Sequence, residues 1–353
     1  MAATVDEGRL EALMGQAVAD MGAAVSAPLM IMGDKLGLYR AMAGAGPLTA
    51  AEVAERSGTA ERYVREWLNN QAAGGYVDYD GATGRYELSP EQALLADPDS
   101  PFYVLGVYDS IASLFADEQR LTEAFRTGEG VGWHEHDHRL FSGTERFFRP
   151  GYSAHLVAEW LPALDDVVEK LEGGAKVADI GCGHGASTAI MAAAFPNSTF
   201  VGFDYHEASI VRARELAREE GVDGNTSFAV AGAKDFPGRG YDLACAFDCL
   251  HDMGDPAGAA AHVLATLEPD GTWMIVEPFA GDRVEDNLNP VGRVFYGAST
   301  LICCPASLDQ EVGLALGAQA GEERLRSVVT DGGFRHFRRA TETPFNLILE
   351  ARP

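Results

Sequence analysis

The feature that most constrains this chain is a change of period near residue 175. From there, short apolar runs ("KVADI", "TFVGFD", "TSFAVA", "YDLACAF", "GTWMIVEP") alternate with stretches of helical spacing. A strand buried on both faces reads as a continuous apolar run, and parallel neighbours need a crossover that is usually a helix. The alternation therefore predicts an α/β unit around a parallel sheet. The last two runs, "FRHFRRATET" and "FNLILEARP", fit an antiparallel edge that closes it.

The region before residue 173 follows another logic. Residues 9 to 45 read as one helix, with Leu10, Leu13, Met14, Val18, Met21 and Val25 at three- and four-residue steps, and "DKLGLYRAMAGAG" carries it to a glycine stop. Thr49 and Glu52 have capping-box spacing, "SGT" breaks that helix, and Thr59 with Arg62, Tyr63 and Val64 opens the next. Gly74 and Gly75 end it, and "YVDYDGATGRYEL" alternates around a glycine-bearing turn as a hairpin does. Helix, turn, helix, hairpin is the order of a winged helix. Such modules often bind DNA, but between residues 47 and 90 Arg56, Arg62, Arg65 and Arg85 face Glu52, Glu55, Glu61, Glu66, Asp78, Asp80 and Glu87. With so few cations the module releases few counterions from a duplex, which favours a structural or dimerising role over nucleic acid. The net charge of −26 over 353 residues opposes nucleic acid and anionic membranes alike.

Residues 101 to 172 read as helical and aromatic-rich, which gives a division into 1–100, 101–172 and 173–353. The N-terminus lacks the basic and apolar regions of a secretory signal, and no run of about 20 apolar residues suggests a membrane span. Cys182, Cys245, Cys249, Cys303 and Cys304 lack the spacing of a disulfide framework, so a reducing cytoplasm is expected. Cys245 and Cys249 read as small hydrophobes in a buried strand, and nothing makes the thiols converge on a substrate.

In "VADIGCGHGAS" a strand ends on Asp179 and Ile180 and runs through Gly181, Gly183 and Gly185 into a helix. Glycines there permit positive φ and close approach of backbone amides to a ligand. Read as G-x-G-x-x-A, with Ala186 last, the loop fits a dinucleotide. Read as D-x-G-x-G-x-G, it fits the nucleoside loop of S-adenosylmethionine-dependent methyltransferases. Asp179 can accept from an ammonium and would repel a pyrophosphate, and the unit begins far from the N-terminus. Both points favour the methyl donor over NAD(P). The plain alternative is a glycine turn in an α/β sheet, with Asp179 capping the helix.

With "DIGCGHG", "FDYH", "AGAKDFPG" and "FDCLHDMGDP", residues 175 to 353 resemble the class I S-adenosylmethionine-dependent methyltransferase domain. The whole chain resembles bacterial small-molecule methyltransferases with an N-terminal winged-helix-like dimerisation region. The resemblance implies a Rossmann-like sheet, a mainly α N-terminal domain (1–100), a helical linker and substrate lid (101–172), and a catalytic domain (173–353). It also implies a homodimer formed through the N-terminal domain. By this likeness Asp179, Gly181, Cys182 and Gly183 line the amino-acid part of S-adenosyl-L-methionine, Asp204 holds its ribose and Tyr205 flanks the adenine. Ala233, Lys234 and Phe236 bound the base from the other side, and Phe247 completes the cofactor wall. The chain departs from the family at Gly232, where many relatives carry an acid for the adenine amino group; Asp235 lies three residues on.

His251 and Asp252 follow the fourth strand of this sheet, where open parallel sheets keep their ligands. Methyl transfer from a sulfonium to a hydroxyl or acidic carbon needs alignment and removal of a proton, a task a histidine performs near neutral pH. In similar O-methyltransferases a histidine followed by an aspartate is the general base here, so His251 is the candidate base and Asp252 its partner. A histidine packed beneath the donor, in an enzyme that works by proximity, is the plain alternative. A metal site at His251 and Asp252, as in related keto-acid C-methyltransferases, would require Cys303 or Cys304 as a third ligand. In "WHEHDHRLFSGTERFFRPGY" three imidazoles (His134, His136, His138) converge only in an extended segment. A polar loop or helix entrance near the substrate suits the run better, with Trp133, Phe147, Phe148 and Tyr152 closing over donor or acceptor and Tyr296 reaching in from a later helix. The acceptor is expected to be a small molecule. A transcriptional regulator that uses the pocket as a sensor is the rival reading, and it needs a basic winged helix.

Overall fold

The structure, a computed structural model, describes residues 5–353. The chain forms two compact units. One comprises the chain up to Ala112 together with Ser142–Pro150, and the other Ser113–Phe141 together with Gly151–Pro353. The segment expected as a linker and lid, 101 to 172, is divided between them and is no separate body.

In the first unit helix α1 (Glu7–Lys35) starts at Asp6, whose side chain accepts from the Arg9 N–H. Contrary to the continuous helix expected to residue 45, α1 stops at Leu36. Gly37, at φ +69°, turns the chain into a separate short helix α2 (Leu38–Met42). Helix α3 (Ala50–Ser57) has the expected capping box: Thr49 Oγ1 accepts from the Glu52 N–H at 3.2 Å, and Glu52 Oε2 accepts from the Thr49 N–H at 2.7 Å. Helix α4 (Glu61–Ala73) follows from Ala60, and β1 (Asp78–Asp80) pairs antiparallel with β2 (Arg85–Glu87) before α5 (Pro90–Ala96). Met30, Tyr39, Val53, Trp67 and Leu68 are buried together. Gly33 belongs in that core, since a Cβ there would come within 2.6 Å of the Trp67 and Tyr39 rings. The regular apolar positions Leu10, Leu13, Met14, Val18, Met21 and Val25 stay outside it, 49 to 67% exposed.

Helices α6 (Val107–Thr127) and α7 (Arg139–His155) contribute residues to both units. In the second unit the chain leaves α7 by a wide π-turn (Leu156–Trp160) and forms α8 (Val167–Gly173). Strands β3 (Lys176–Ile180), β4 (Thr199–Asp204), β5 (Thr226–Val230), β6 (Tyr241–Phe247), β7 (Leu267–Pro278), β8 (His336–Glu342) and β9 (Asn346–Arg352) form one sheet in the order β5-β4-β3-β6-β7-β9-β8. The first five run parallel, and β8 and β9 close the edge antiparallel, as the sequence pattern predicts. Helices α9 (Ala186–Ala194), α10 (Glu207–Glu219), α11 (Pro256–Thr266), α12 (Pro290–Ala298), α13 (Cys304–Leu308) and α14 (Gly321–Asp331) complete the unit. Strand order reverses between β3 and β6, so the loops after β3, β4 and β6 open at one switch point where such sheets bind ligands.

Candidate active site

The loop after β3 is held largely through its backbone amides. The Gly181 and Cys182 N–H groups donate to the Phe203 carbonyl at 2.8 and 3.0 Å, tying the glycine turn to the end of β4. Gly181 and Gly183 sit at φ +71° and +51°, and a Cβ on Gly181 would come within 2.8 Å of Cys249 Sγ. At the end of β4, Asp204 spends one oxygen on the Gly183 N–H (2.9 Å) and the other on the His206 N–H (2.8 Å). Each oxygen keeps a second lone pair, which suits a ribose diol. Burial raises the Asp204 pKa, and these two amides pull it back. Tyr205 is half-exposed beside this carboxylate.

Asp179 is buried at the end of β3. Its Oδ2 accepts from the Ser187 and Thr188 hydroxyls at 2.7 and 2.6 Å, whereas Oδ1 is buried with no hydrogen-bond partner among the described residues. Burial pushes its pKa up to about 6 against those hydroxyls. The left-handed glycines, the diol-competent Asp204 and this orphan carboxylate oxygen together fit a nucleoside that carries an amino-acid ammonium.

After β6 the chain turns sharply. Asp248 has φ +49°, strained for a non-glycine residue, while its N–H donates to the Val276 carbonyl at 2.7 Å and its carboxylate accepts from Tyr152 Oη (2.7 Å) and Asn346 Nδ2 (2.9 Å). Burial raises the Asp248 pKa to about 7. The turn presents His251, which is 4% exposed. Its Nδ1 lies 2.5 Å from Glu277 Oε2, and Glu277 Oε1 accepts from the Leu250 N–H at 2.9 Å. The other ring nitrogen, Nε2, lies 3.1 Å from Asp252 Oδ1. Burial opposes the imidazolium, but the Glu277 and Asp252 carboxylates outweigh it and hold the His251 pKa well above its usual value.

Cys303 reaches the same point at the end of a π-turn (Ser299–Cys303) that joins α12 to α13. Ligand atoms of His251, Asp252 and Cys303 all lie within 4.8 Å of one another. Of the two thiols named from the sequence Cys303 takes this place, while Cys304 Sγ faces Ser299 Oγ at 3.6 Å. The three imidazoles of the "HEHDH" run do not converge: His136 is buried and His134 and His138 are exposed.

The remaining sequence-derived residues divide by location. Phe247 is buried with its ring 5.3 Å from that of Tyr152, so these two sit together beside the Asp248 turn. Phe236 stacks on Phe203 at 5.0 Å and meets Tyr241 and His262, which makes its ring part of the sheet core and not a wall for a base. Lys234 joins the loop after β5 to Asp255 and Glu311 by 3.1 and 2.8 Å ion pairs, beside the half-buried Ala233. Asp235, three residues past the Gly232 position, folds back to accept from the Gly232 N–H at 2.9 Å. Trp133 packs edge-on against Phe141 at 5.6 Å, and Tyr296 is half-buried on α12. Phe147 and Phe148 belong to the first unit, where their rings meet edge to face at 5.0 Å. Sequence reasoning missed Glu277, Asp248 and the His136–Asp117 pair. Glu277 had a signal, as the one charged residue in the apolar run "WMIV" that it ends.

Residues 171–321 match the family model described as a methyltransferase domain, and residues 23–96 match that of an Rv2258c-like winged HTH domain. The chain thus carries a methyltransferase domain behind an N-terminal winged HTH domain. The mitomycin 7-O-methyltransferase MmcR shares its fold with a TM-score of 0.69 at 21% identity, over 99% of this chain and 100% of that one. Human N-acetylserotonin methyltransferase, solved in complex with SAM, gives 0.69 at 17% identity, over 100% of this chain and 99% of that one. In sequence the chain is 30% identical to cycloartenol-C-24-methyltransferase of Arabidopsis thaliana over 122 residues, which span 33% of this chain and only 36% of that protein.

Proposed function

We propose that the protein methylates an oxygen or an activated carbon of a small-molecule acceptor, with His251 taking the proton. The observation that carries this reading is the buried His251–Glu277 pair at the carboxyl end of β6, beside the loop that fits the donor. S-adenosylmethionine, when bound, supplies the methyl group as a sulfonium substituent. Gly181, Gly183 and Asp204 hold the nucleoside, and Asp179 Oδ1 accepts from the ammonium. Glu277 holds the Nδ1 proton of His251, so once the ring is neutral, as pH rises toward its raised pKa, the lone pair lies on Nε2, the nitrogen beside Asp252. As the acceptor atom forms its bond to the methyl carbon it gives its proton to Nε2, and the leaving electron pair stays on sulfur. The two carboxylates stabilise the imidazolium that results. Calorimetry with S-adenosylmethionine, S-adenosylhomocysteine and NADH tests the first step: micromolar binding of the first two supports the reading, and binding of NADH alone overturns it. Loss of turnover in His251→Ala, assayed over an acceptor panel, tests the second.

One observation favours a second reading, a metal-assisted C-methylation of a keto acid. His251, Asp252 and Cys303 offer three convergent ligand atoms, and Glu277 orients the histidine as a carboxylate does behind a metal-bound imidazole. Burial pushes the Cys303 thiol up to about 12, so a divalent ion would have to displace its proton. Turnover that survives exhaustive chelation rejects this reading; turnover that is lost and then restored by one metal supports it.

The N-terminal domain dimerises the enzyme in this proposal. The exposed apolar positions Leu10, Leu13, Met14, Val18, Met21 and Val25 at helical spacing on α1 support that role. On α4, Arg62 pairs with Glu66 at 2.6 Å and Arg65 with Glu61 at 2.5 Å, which leaves those cations engaged and disfavours the DNA-binding regulator. No helix among the described residues is long and apolar enough to cross a membrane. The free state of all five cysteines supports a reducing, cytoplasmic setting.

A further inference from the structure

A second imidazole stands at the acceptor end, and the mechanism above does not use it. His136 follows a short 3-10 turn (Trp133–Glu135), and its Nδ1 lies 2.9 Å from Asp117 Oδ2 on α6. The same carboxylate oxygen accepts from the Asp137 N–H at 3.1 Å. The side chain is 0% exposed, and its Nε2 is buried with no hydrogen-bond partner among the described residues. With Asp117 accepting at Nδ1, the proton rests there and Nε2 presents a lone pair. Buried polar atoms are ordinarily satisfied, so a lone pair kept dry and unused in the protein points to a ligand group.

Neighbouring contacts fix where the segment around His136 sits. The Val131 N–H donates to the Pro305 carbonyl at 3.0 Å, and Gly130 lies so close that a Cβ there would come within 2.1 Å of the Asp309 nitrogen. The segment is thus pressed against α13, next to Cys303. On its other flank His134 stands edge-on to Tyr205 at 6.1 Å, and Phe141 stacks on His206 at 4.8 Å. The segment that carries His136 therefore bridges the ribose end of the donor site and the Cys303 end of the acceptor site. Burial raises the Asp252 pKa, with His251, Cys303 and also His136 pulling it back, which puts His136 within electrostatic reach of the catalytic turn.

We infer that His136, oriented by Asp117, binds the acceptor: its Nε2 takes a hydrogen bond from a hydroxyl or amine other than the group that is methylated. This rests on reading the site as a methyl-acceptor pocket and narrows the substrate class to small molecules with at least two such donor groups. A site that hydrogen-bonds a substrate hydroxyl discriminates strongly against the analogue that lacks it.

The test uses the full-length protein and pairs of acceptors that differ only in the second hydroxyl or amine, with kcat and KM read from S-adenosylhomocysteine release. Wild type is expected to favour the two-donor member at least tenfold in kcat/KM, mainly through KM. His136→Leu should collapse that ratio at least tenfold with no change in S-adenosylmethionine affinity by calorimetry, and His136→Gln, which keeps an acceptor oxygen near the position of Nε2, should restore part of it. If His136→Leu does not fold, Asp117→Asn carries the test, because an amide that donates to Nδ1 moves the proton to Nε2 and should reverse the preference toward acceptors with a second hydrogen-bond acceptor. Equal use of both members by wild type, or a ratio unchanged in His136→Leu (or in Asp117→Asn, should His136→Leu not fold), overturns the inference. A protein that binds S-adenosylmethionine yet methylates no compound of either kind refutes the methyl-acceptor reading itself, and the inference falls with it.

Discussion

On the donor side of the proposed site, Gly181, Gly183 and Asp204 come from one β3–α9–β4 unit, where the Gly181 amide donates to the Phe203 carbonyl and the Gly183 amide to the Asp204 carboxylate. On the proposed acceptor side, His251, Glu277, Cys303 and the His136–Asp117 pair come from stretches far apart in the chain, carried by the sheet, a π-turn and the middle of α6. The donor half is a local motif whose geometry the backbone dictates. The acceptor half is a tertiary assembly in which any one side chain can change without disturbing a motif. One fold can in this way keep a constant methyl donor while its acceptors diverge.

The largest expected effect would break the two halves apart. His251→Ala should lower kcat by about 10²–10⁴-fold, the usual contribution of a positioned base, with S-adenosylmethionine affinity by calorimetry within twofold of wild type. A parallel loss of cofactor affinity would mean that the halves are not separable. The converse change, Asp204→Ala, removes the acceptor for the ribose diol and strands the Gly183 and His206 amides. It should weaken cofactor binding by roughly 10–100-fold, the range for hydrogen bonds to a charged group, and leave acceptor KM at saturating cofactor little changed.

The same contrast explains what could be read from the sequence. The parallel sheet and the glycine loop were legible because each is written in contiguous residues, and so was the capping box at Thr49. The spacing of the motif puts Phe236 beside the adenine, but spacing fixes where a residue falls along the chain and not which way its ring turns; here the ring packs on Phe203. The helix expected to residue 45 fails at Gly37 for a local reason, since apolar periodicity continues through a glycine that takes the left-handed conformation. The stripe from Leu10 to Val25 shows a limit of periodicity: it marks an apolar face without saying what covers it. The partners of His251 stayed hidden because Glu277 and Cys303 meet it only in three dimensions.

Glu277→Gln sharpens the acceptor half alone, with a smaller effect. Glu277 is the stronger of the two carboxylates that hold the His251 pKa up, so its neutralisation lowers that pKa. Because the base must be unprotonated to act, kcat/KM rises with pH through this pKa. The acid limb should therefore move to lower pH in Glu277→Gln, with the plateau reduced about tenfold as His251 loses its orienting partner. A limb that stays in place would assign it to another group.

The smallest effect belongs to the donor half, at Asp179. Its pKa of about 6 in the folded protein lies above the ordinary 3.8, so the native state holds this proton more tightly than the unfolded chain does. The stability it contributes is present below about pH 4 and is lost as pH rises toward and through 6. Cofactor binding has the opposite sign, because an ammonium prefers the carboxylate. Affinity for S-adenosylmethionine should fall several-fold as pH is lowered through 6, while the ligand-free protein gains stability over the same interval. Asp179→Asn should flatten both curves, and calorimetry and thermal melts at pH 5 and 7.5 read them independently. A flat affinity in wild type would show that the ammonium lies elsewhere and would leave the orphan Oδ1 to some other donor, whereas opposed slopes that vanish together in Asp179→Asn would tie both to this one carboxyl.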